Sequence, residues 1–166
     1  EGPGLTVAAT RGRVLGTALA RTITTQWHPI HRLPTRITAP SGAAGVDEVT
    51  DFVYDARGNV LQKTITAGGR MRQWKSTYSA LGQLLTADGP RTDVTDVTTY
   101  TYHASSDPCG ACRGNVKSVA NAQGHVTTFD DYDVDGQPTR ITDPNGVVTT
   151  NTYDLRGRLR ARTVDA

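Results

Sequence analysis

A short motif recurs along this chain at nearly constant spacing, and it constrains the possible fold more than any other feature of the sequence. Each copy reads Tyr, polar, apolar, any residue, Gly, polar, apolar. The six copies are separated by 27, 24, 24, 30 and 21 residues from one aromatic residue to the next. A period of about two dozen residues that persists along most of a chain is typical of stacked structural repeats. The copies start at Trp27 (degenerate), Tyr54, Tyr78, Tyr102 (which resumes at Gly114 after eight extra residues), Tyr132 and Tyr153.

Each copy of the motif predicts a β-hairpin. In residues 55–58 the Asp opens a turn and the Gly takes the left-handed backbone position. The Thr-rich segments before the aromatic residue, such as residues 97–102 and 148–153, predict the first strand, and residues 59–66 predict its partner. Residues 143–146 read Asp-Pro-Asn-Gly and predict a tight reversal between one hairpin and the next. Each repeat is therefore two strands and two turns.

Composition supports an all-β fold. The chain contains 26 Thr but only two Glu, and Thr, Val and Tyr favour strands. No segment keeps an apolar stripe at helical spacing without a helix breaker. A lone hairpin is only marginally stable, so stability should come from contacts between successive repeats. We expect these contacts to bury the repeated Tyr and the apolar residue two positions after each Gly: Val60, Leu84, Val116, Pro138 and Leu159.

Charge and residue usage argue against several classes of function. The net charge is +2, from 18 basic and 16 acidic residues, whereas nucleic-acid binders usually carry a concentrated basic face. No apolar run approaches the roughly 18 residues of a membrane-spanning helix. No nucleophile elbow or other supporting motif marks a catalytic triad. We predict no catalytic residue, no cofactor, no nucleic-acid partner and no membrane insertion.

The unit Tyr-Asp-x-x-Gly-(Asn/Gln/Arg), held in register, resembles the YD repeat of the RHS family over residues 27–164. Residues 114–125 and 141–146 are especially similar to bacterial members. The resemblance implies an array of antiparallel hairpins that forms a curved, spiralling β-strip. We interpret residues 1–23 as a leading strand region and candidate partial repeat, and residues 24–166 as YD repeats with a Cys-containing insertion at 104–113. The predicted structural positions are Tyr54, Gly58, Tyr78, Gly82, Tyr102, Gly114, Tyr132, Gly136, Tyr153 and Gly157.

The same resemblance implies a function. The chain would be a non-enzymatic segment of a β-shell that encapsulates a carboxy-terminal toxin and helps deliver it, exported from a bacterium or held at its surface. Its partners would be the rest of the shell, the enclosed toxin and a secretion apparatus. Related repeats occur in teneurins, which are cell-adhesion receptors, so the alternative is an extracellular carbohydrate-binding or adhesion module with glycans as partners. The Tyr residues, with the nearby Arg70, Arg72, Trp74 and Lys75, are the candidate sugar-stacking surface; packing between repeats is the other interpretation.

The chain has two cysteines, Cys109 and Cys112, and both lie in the insertion. Their spacing fits half of a zinc site or a redox pair, and His103 and His125 are the histidines that could complete a mixed metal site. A disulfide within the loop and two ordinary thiols are the competing interpretations. We predict no metal, with Cys109 and Cys112 as the candidate ligands if one binds, and an insertion that bulges outward as the most dispensable part of the chain.

Two further motifs have both a functional and a structural interpretation. The histidines of residues 27–31 could form a small binding site, but the segment fits a degenerate hairpin turn better. The Asp-Pro pair of residues 143–146 is similar to motifs of the family's self-cleaving core. It has no second copy at that core's spacing, so we predict a turn that does not cleave itself.

Overall fold

The computed structural model describes residues 6–11, 21–42 and 45–165. More than half of these residues lie in β-strands and none lies in a helix, so the all-β prediction is confirmed. It follows that the described residues contain no helix long and apolar enough to cross a membrane. The strands are β1 Thr6–Arg11, β2 Arg21–Trp27, β3 Pro34–Pro40, β4 Asp47–Tyr54, β5 Val60–Ala67, β6 Arg70–Tyr78, β7 Leu84–Asp88, β8 Val97–Tyr102, β9 Val116–Ala120, β10 Val126–Tyr132, β11 Pro138–Thr142, β12 Val148–Tyr153 and β13 Leu159–Asp165.

The chain divides into two compact units, Glu1–Gln83 with Ala87–Val94, and Leu84–Thr86 with Thr95–Ala166. In the first unit β1 to β6 each pair antiparallel with the next strand in the chain. In the second, β8 to β13 do the same. Strands β8 and β12 have the bounds expected from the sequence, because their Thr and Val residues fit a pleated surface. Strand β2 spans the predicted boundary at residues 23 and 24, and residues 1–5 and 12–20 of the leading region lie outside the described residues.

A β-bulge recurs at the same place in the hairpins. Tyr54 pairs with Val60 while Val53 pairs with Gln62, so Leu61 has no partner in the ladder. One residue of the second strand is skipped in the same way beside Trp27, Tyr102, Tyr132 and Tyr153. A bulge bends the strand and increases its local twist. Here it also sets each of these aromatic residues opposite the first residue of the next strand.

Neither unit builds a conventional apolar core. Cys112, with no exposed surface, is the only buried apolar side chain among the described residues, and His103 and Asn151 are the buried polar ones. The expectation that contacts between repeats bury the apolar positions is wrong for Leu159, whereas the repeated Tyr and the other four apolar positions are partly buried. The five Tyr are half-buried, and Leu159 is 56% exposed. The physical reason is that strands contact only their sequence neighbours within each unit, so lateral pairing replaces coverage by a second layer.

Candidate functional site

The turn of the repeat is held by one carboxylate that accepts two backbone hydrogen bonds. In the copy at Tyr54, Asp55 Oδ1 accepts from the N–H groups of Arg57 at 2.8 Å and Asn59 at 2.9 Å. The N–H of Gly58 donates to the Asp55 carbonyl at 3.1 Å, and Gly58 has a φ of 86°. This is an Asx turn followed by a left-handed residue. Ser79, Asp133 and Asp154 accept the equivalent pair of bonds in their copies.

Two of the turns that join one hairpin to the next, at residues 121–125 and 143–147, use the same device. Asp143 Oδ1 accepts from the N–H groups of Asn145 and Val147, at 2.8 and 2.9 Å. Gly146 follows with a φ of 85°. The predicted turn over residues 143–146 is confirmed.

The hydroxyl of each repeated Tyr donates a hydrogen bond to a backbone carbonyl of the preceding repeat. The Tyr132 hydroxyl donates to the carbonyl of Val116 at 2.6 Å, and the Tyr153 hydroxyl to that of Pro138 at 3.0 Å. In every case the acceptor is the residue two positions after the left-handed residue of the previous turn. The other three bonds are Tyr54 to Pro34 (2.7 Å), Tyr78 to Val60 (3.1 Å) and Tyr102 to Leu84 (2.8 Å).

At Gly157, a second contact between repeats adds a reason for Gly at the turn position. Gln137, which follows Gly136, donates from Nε2 to the carbonyl of Gly157 in the next turn at 2.9 Å. A Cβ on Gly157 would lie 2.7 Å from that Nε2. Gly157 therefore serves two purposes: it adopts a φ of 74° and it leaves space for the neighbouring side chain.

The turn between β2 and β3 uses different residues and is one residue longer, which confirms that residues 27–31 belong to a degenerate turn. The N–H of His28 donates to the carbonyl of Leu33, five positions on, whereas each regular turn closes over four positions. His28 replaces the Asp, and its Nδ1 accepts from the N–H groups of Ile30 at 3.3 Å and His31 at 3.2 Å. Arg32 replaces the Gly and has a φ of 53°. Two residues later Pro34 accepts the Tyr54 hydroxyl, as the corresponding residue does in the regular copies.

The insertion, together with the residue before it, contains the two most buried side chains of the described residues, Cys112 and His103. We call the cluster of His103, Asp107, Cys109 and Cys112 the cysteine loop. Cys109 and Cys112 are joined by a disulfide. His103 Nδ1 lies 3.0 Å from Asp107 Oδ2, and His103 Nε2 lies 2.9 Å from the carbonyl oxygen of Phe129 on β10. The expected outward bulge of residues 104–113 is therefore wrong for Cys112, which is fully buried, and His103, just before the insertion, is 8% exposed.

Hydrogen bonds fix the backbone of the cysteine loop. Arg113 Nε donates to the carbonyl of Asp107 at 2.9 Å, and Asn115 Nδ2 donates to that of Ala111 at 3.0 Å. The hydrogen bond from His103 is the main reason that the pKa of Asp107 is lowered, and the nearby charge of Lys117 adds to it. The loop is thus held in one conformation by the hydrogen bonds that Arg113, Asn115 and His103 make within it.

Of the two candidate histidines, the structure brings only His103 to the cysteines. His125 lies in an exposed turn, where its Nδ1 is 3.4 Å from the side-chain nitrogen of Asn121. Asp107 completes the cluster, and sequence reasoning missed it. The signal that could have found it is its place four residues after His103, within the same loop and two residues before Cys109.

The candidate sugar surface is only partly free. The repeated Tyr are half-buried and their hydroxyls are occupied by backbone carbonyls. Burial raises the pKa of Tyr132, as it does for Tyr54. On β6, Trp74 is covered by Lys63 of the neighbouring strand, whose Nζ lies 5.3 Å from the ring centroid.

Comparison with known proteins supports the resemblance drawn from the motif. Residues 132–166 match the family model described as RHS Repeat, which confirms the RHS resemblance in that part of the chain. No curated protein matches the sequence. A solved structure titled "Crystal Structure of TcdB2-TccC3-Cdc42" is similar with a TM-score of 0.49 and 14% identity, over 98% of this chain and 10% of that one. The chain thus spans about a tenth of the length of that structure's chain.

Proposed function

We propose that the chain is a structural, non-enzymatic segment of the wall of an RHS-type shell, which encapsulates a carboxy-terminal toxin and helps deliver it. The observation that carries the proposal is the hydroxyl bond from each repeated Tyr to the preceding unit, found five times. A repeat that contacts only the repeats before and after it can be added any number of times, and solenoid proteins are built in this way.

The recurrent bulge supports a curved wall. Because a bulge adds twist and bend at one position of each hairpin, its repetition in β2–β3, β4–β5 and later hairpins would turn a strip in one sense. The RHS Repeat match at residues 132–166 supports the same assignment. In this proposal the partners are the remaining shell, the enclosed toxin and the secretion apparatus.

An exported location is part of the proposal. Disulfides persist in oxidising compartments outside the cytosol, and Cys109 and Cys112 are joined by one. A protein whose wall is displayed or released by a bacterium would meet those conditions.

The test uses the full-length gene product that contains this chain. Limited proteolysis of the folded protein should leave a region carboxy-terminal to the repeats intact. The double variant Tyr132→Ala/Tyr153→Ala, which removes two bonds between units, should expose that region to cleavage. Tyr100→Phe is the matched control, because the Tyr100 hydroxyl makes no hydrogen bond in the described part of the chain. Equal cleavage of parent and double variant would refute containment.

An adhesion module is the second candidate. Arg70, Arg72 and Trp74 alternate along β6 and so share one face of the strand, with Lys63 beside Trp74. Screening the chain against a glycan array tests it. A specific sugar whose binding is lost in Trp74→Ala and kept in Met71→Ala, on the opposite face, would favour adhesion over containment.

A further inference from the structure

We propose that the cysteine loop, once its disulfide is reduced, is a zinc site with four protein ligands: His103 Nδ1, a carboxylate oxygen of Asp107, and the sulfurs of Cys109 and Cys112. These four ligand atoms all lie within 4.8 Å of one another. Nitrogen, sulfur and carboxylate oxygen are the donors that zinc takes, and four protein ligands without an open position are typical of structural sites. The proposal goes beyond the wall function, because nothing in that function requires a metal.

The orientation of His103 supports coordination through Nδ1. Its Nε2 lies 2.9 Å from the Phe129 carbonyl oxygen, which can only accept a hydrogen bond, so the Nε2 atom carries a proton. Nδ1 then faces Asp107 Oδ2 at 3.0 Å. A histidine that binds a metal through one nitrogen usually donates from the other to a carbonyl or carboxylate, which fixes the ring. The Phe129 carbonyl already has that supporting position.

Burial and spacing support the same site. Cys112 is fully buried and His103 is nearly so, whereas most of the described residues are half-buried or exposed. Zinc bonds of about 2.0–2.3 Å place tetrahedral ligand atoms about 3.3–3.8 Å apart. The observed cluster therefore needs only side-chain adjustment: the two sulfurs separate when reduced, and the remaining ligands move inward by about 1 Å at most.

The disulfide and the metal site exclude each other, so the loop has two states. Reduction by a phosphine breaks the Cys109–Cys112 bond: the two sulfurs gain two electrons and two protons, and the phosphine takes oxygen from water to become its oxide. Zinc then displaces the two thiol protons and the proton by which His103 Nδ1 donates to Asp107 Oδ2, because thiolates and an unprotonated ring nitrogen are the ligands. Oxidation by a disulfide reagent reverses the sequence, re-forming the bond and releasing zinc.

The experiment titrates the reduced, chelator-treated chain with Co²⁺ as a spectroscopic probe and then with Zn²⁺. We expect one Co²⁺ per chain, with visible bands of tetrahedral geometry and an ultraviolet band from thiolate ligands, all abolished by Zn²⁺. The oxidised chain should show none of these bands. His103→Gln and Asp107→Asn should each weaken binding by about 100-fold or more, whereas His125→Gln, in an exposed turn, should leave it unchanged.

X-ray absorption of the zinc-loaded, unmodified chain keeps the proposal testable if a variant fails to fold. We expect two sulfur atoms at about 2.3 Å and two nitrogen or oxygen atoms at about 2.0 Å. Four sulfurs, or a shell of oxygen and nitrogen alone, would overturn the site. So would a reduced chain that binds neither metal stoichiometrically, or an equal loss of binding in His125→Gln.

Discussion

The hairpin at Tyr153 and the hairpin at Tyr102 are two versions of the same repeat. In both, the Tyr hydroxyl binds a carbonyl of the preceding unit, at 3.0 and 2.8 Å, and a bulge lies beside the Tyr. The turn between the strands differs. The regular one is closed by Asp154, while in the inserted one His103 stands at the Asp position and the chain continues for eight more residues before Gly114.

The comparison distinguishes the features that the two hairpins share, which we call the frame of the repeat, from the turn, which differs. The frame consists of the strand pairing, the bulge and the Tyr bond, and these are preserved when the turn is lengthened. Doubling a loop costs only about 0.6 kcal/mol in closure entropy. The inserted turn offsets this cost with its own buried cluster around Cys112. A repeat protein of this kind can therefore lengthen a turn and bury new side chains there without altering its strand pairing.

The largest effect on stability should come from removing the side chain of Tyr132, which belongs to the frame. Its hydroxyl donates to Val116, and its ring meets His103 edge-on with centroids 6.1 Å apart. Tyr132→Ala should lower the free energy of unfolding by about 3 kcal/mol, at the low end for an aromatic side chain because the ring is half-buried. Tyr132→Phe, which loses only the hydrogen bond, should cost about 1 kcal/mol.

Urea denaturation measures both effects. Tyr100→Phe is the control and should be neutral. If Tyr132→Ala unfolds at the same urea concentration as the parent chain, the Tyr bond does not hold the units together and the frame lies elsewhere.

The next prediction concerns the inserted turn. Replacing residues 105–112 with a tight turn should keep the strands, because the frame is intact, but lower the free energy of unfolding by about 2 kcal/mol as the buried cluster is lost.

The double variant Cys109→Ser/Cys112→Ser should change the free energy of unfolding by less than about 2 kcal/mol, since a disulfide across so few residues restricts the unfolded chain little. Circular dichroism and urea melts, with and without chelator, measure this. Collapse of the oxidised chain on chelation would show that a metal holds the loop even there.

The regular turns could be predicted from the sequence because their physics is local. Asp accepts bonds from residues two and four positions on, and Gly takes the left-handed position, so the spacing alone indicates the hairpin. The cysteine loop could not be predicted in the same way, because the contact from His103 to the Phe129 carbonyl joins residues 26 positions apart. The exposure of Leu159 was also missed, since spacing indicates which residue packs but not whether a neighbouring element covers it.

The first turn offers a prediction of opposite sign. Arg32 has a φ of 53° where the regular turns have Gly, and a side chain in this conformation costs about 1–2 kcal/mol. Arg32→Gly should therefore stabilise the chain, by about 1 kcal/mol after the added freedom of the unfolded chain is counted. Gly157→Ala should destabilise it by at least about 1 kcal/mol, because it adds both strain and a contact with Gln137. Thermal melts of the two variants check the opposite signs, and shifts in the same direction would contradict the equivalence of the two positions.

The smallest effect should be the pH dependence of the regular turn. A hydrogen bond from Arg158 is the main reason that the pKa of Asp154 is lowered from its ordinary value of 3.8. A carboxyl group whose folded-state pKa is depressed contributes stability above its unfolded pKa, and that contribution is lost as the pH falls through the folded value. Asp154→Asn can keep the turn, because Asn121 accepts the same pair of backbone bonds in its own turn. The variant should therefore be slightly less stable than the parent at neutral pH and equal to it at a pH well below 3.8.

Arg158→Gln should produce the same convergence, because it removes the main cause of the lowered pKa of Asp154. Urea midpoints measured at neutral and acid pH test this, and a difference from the parent that is the same at both would show that Asp154 acts through turn geometry alone.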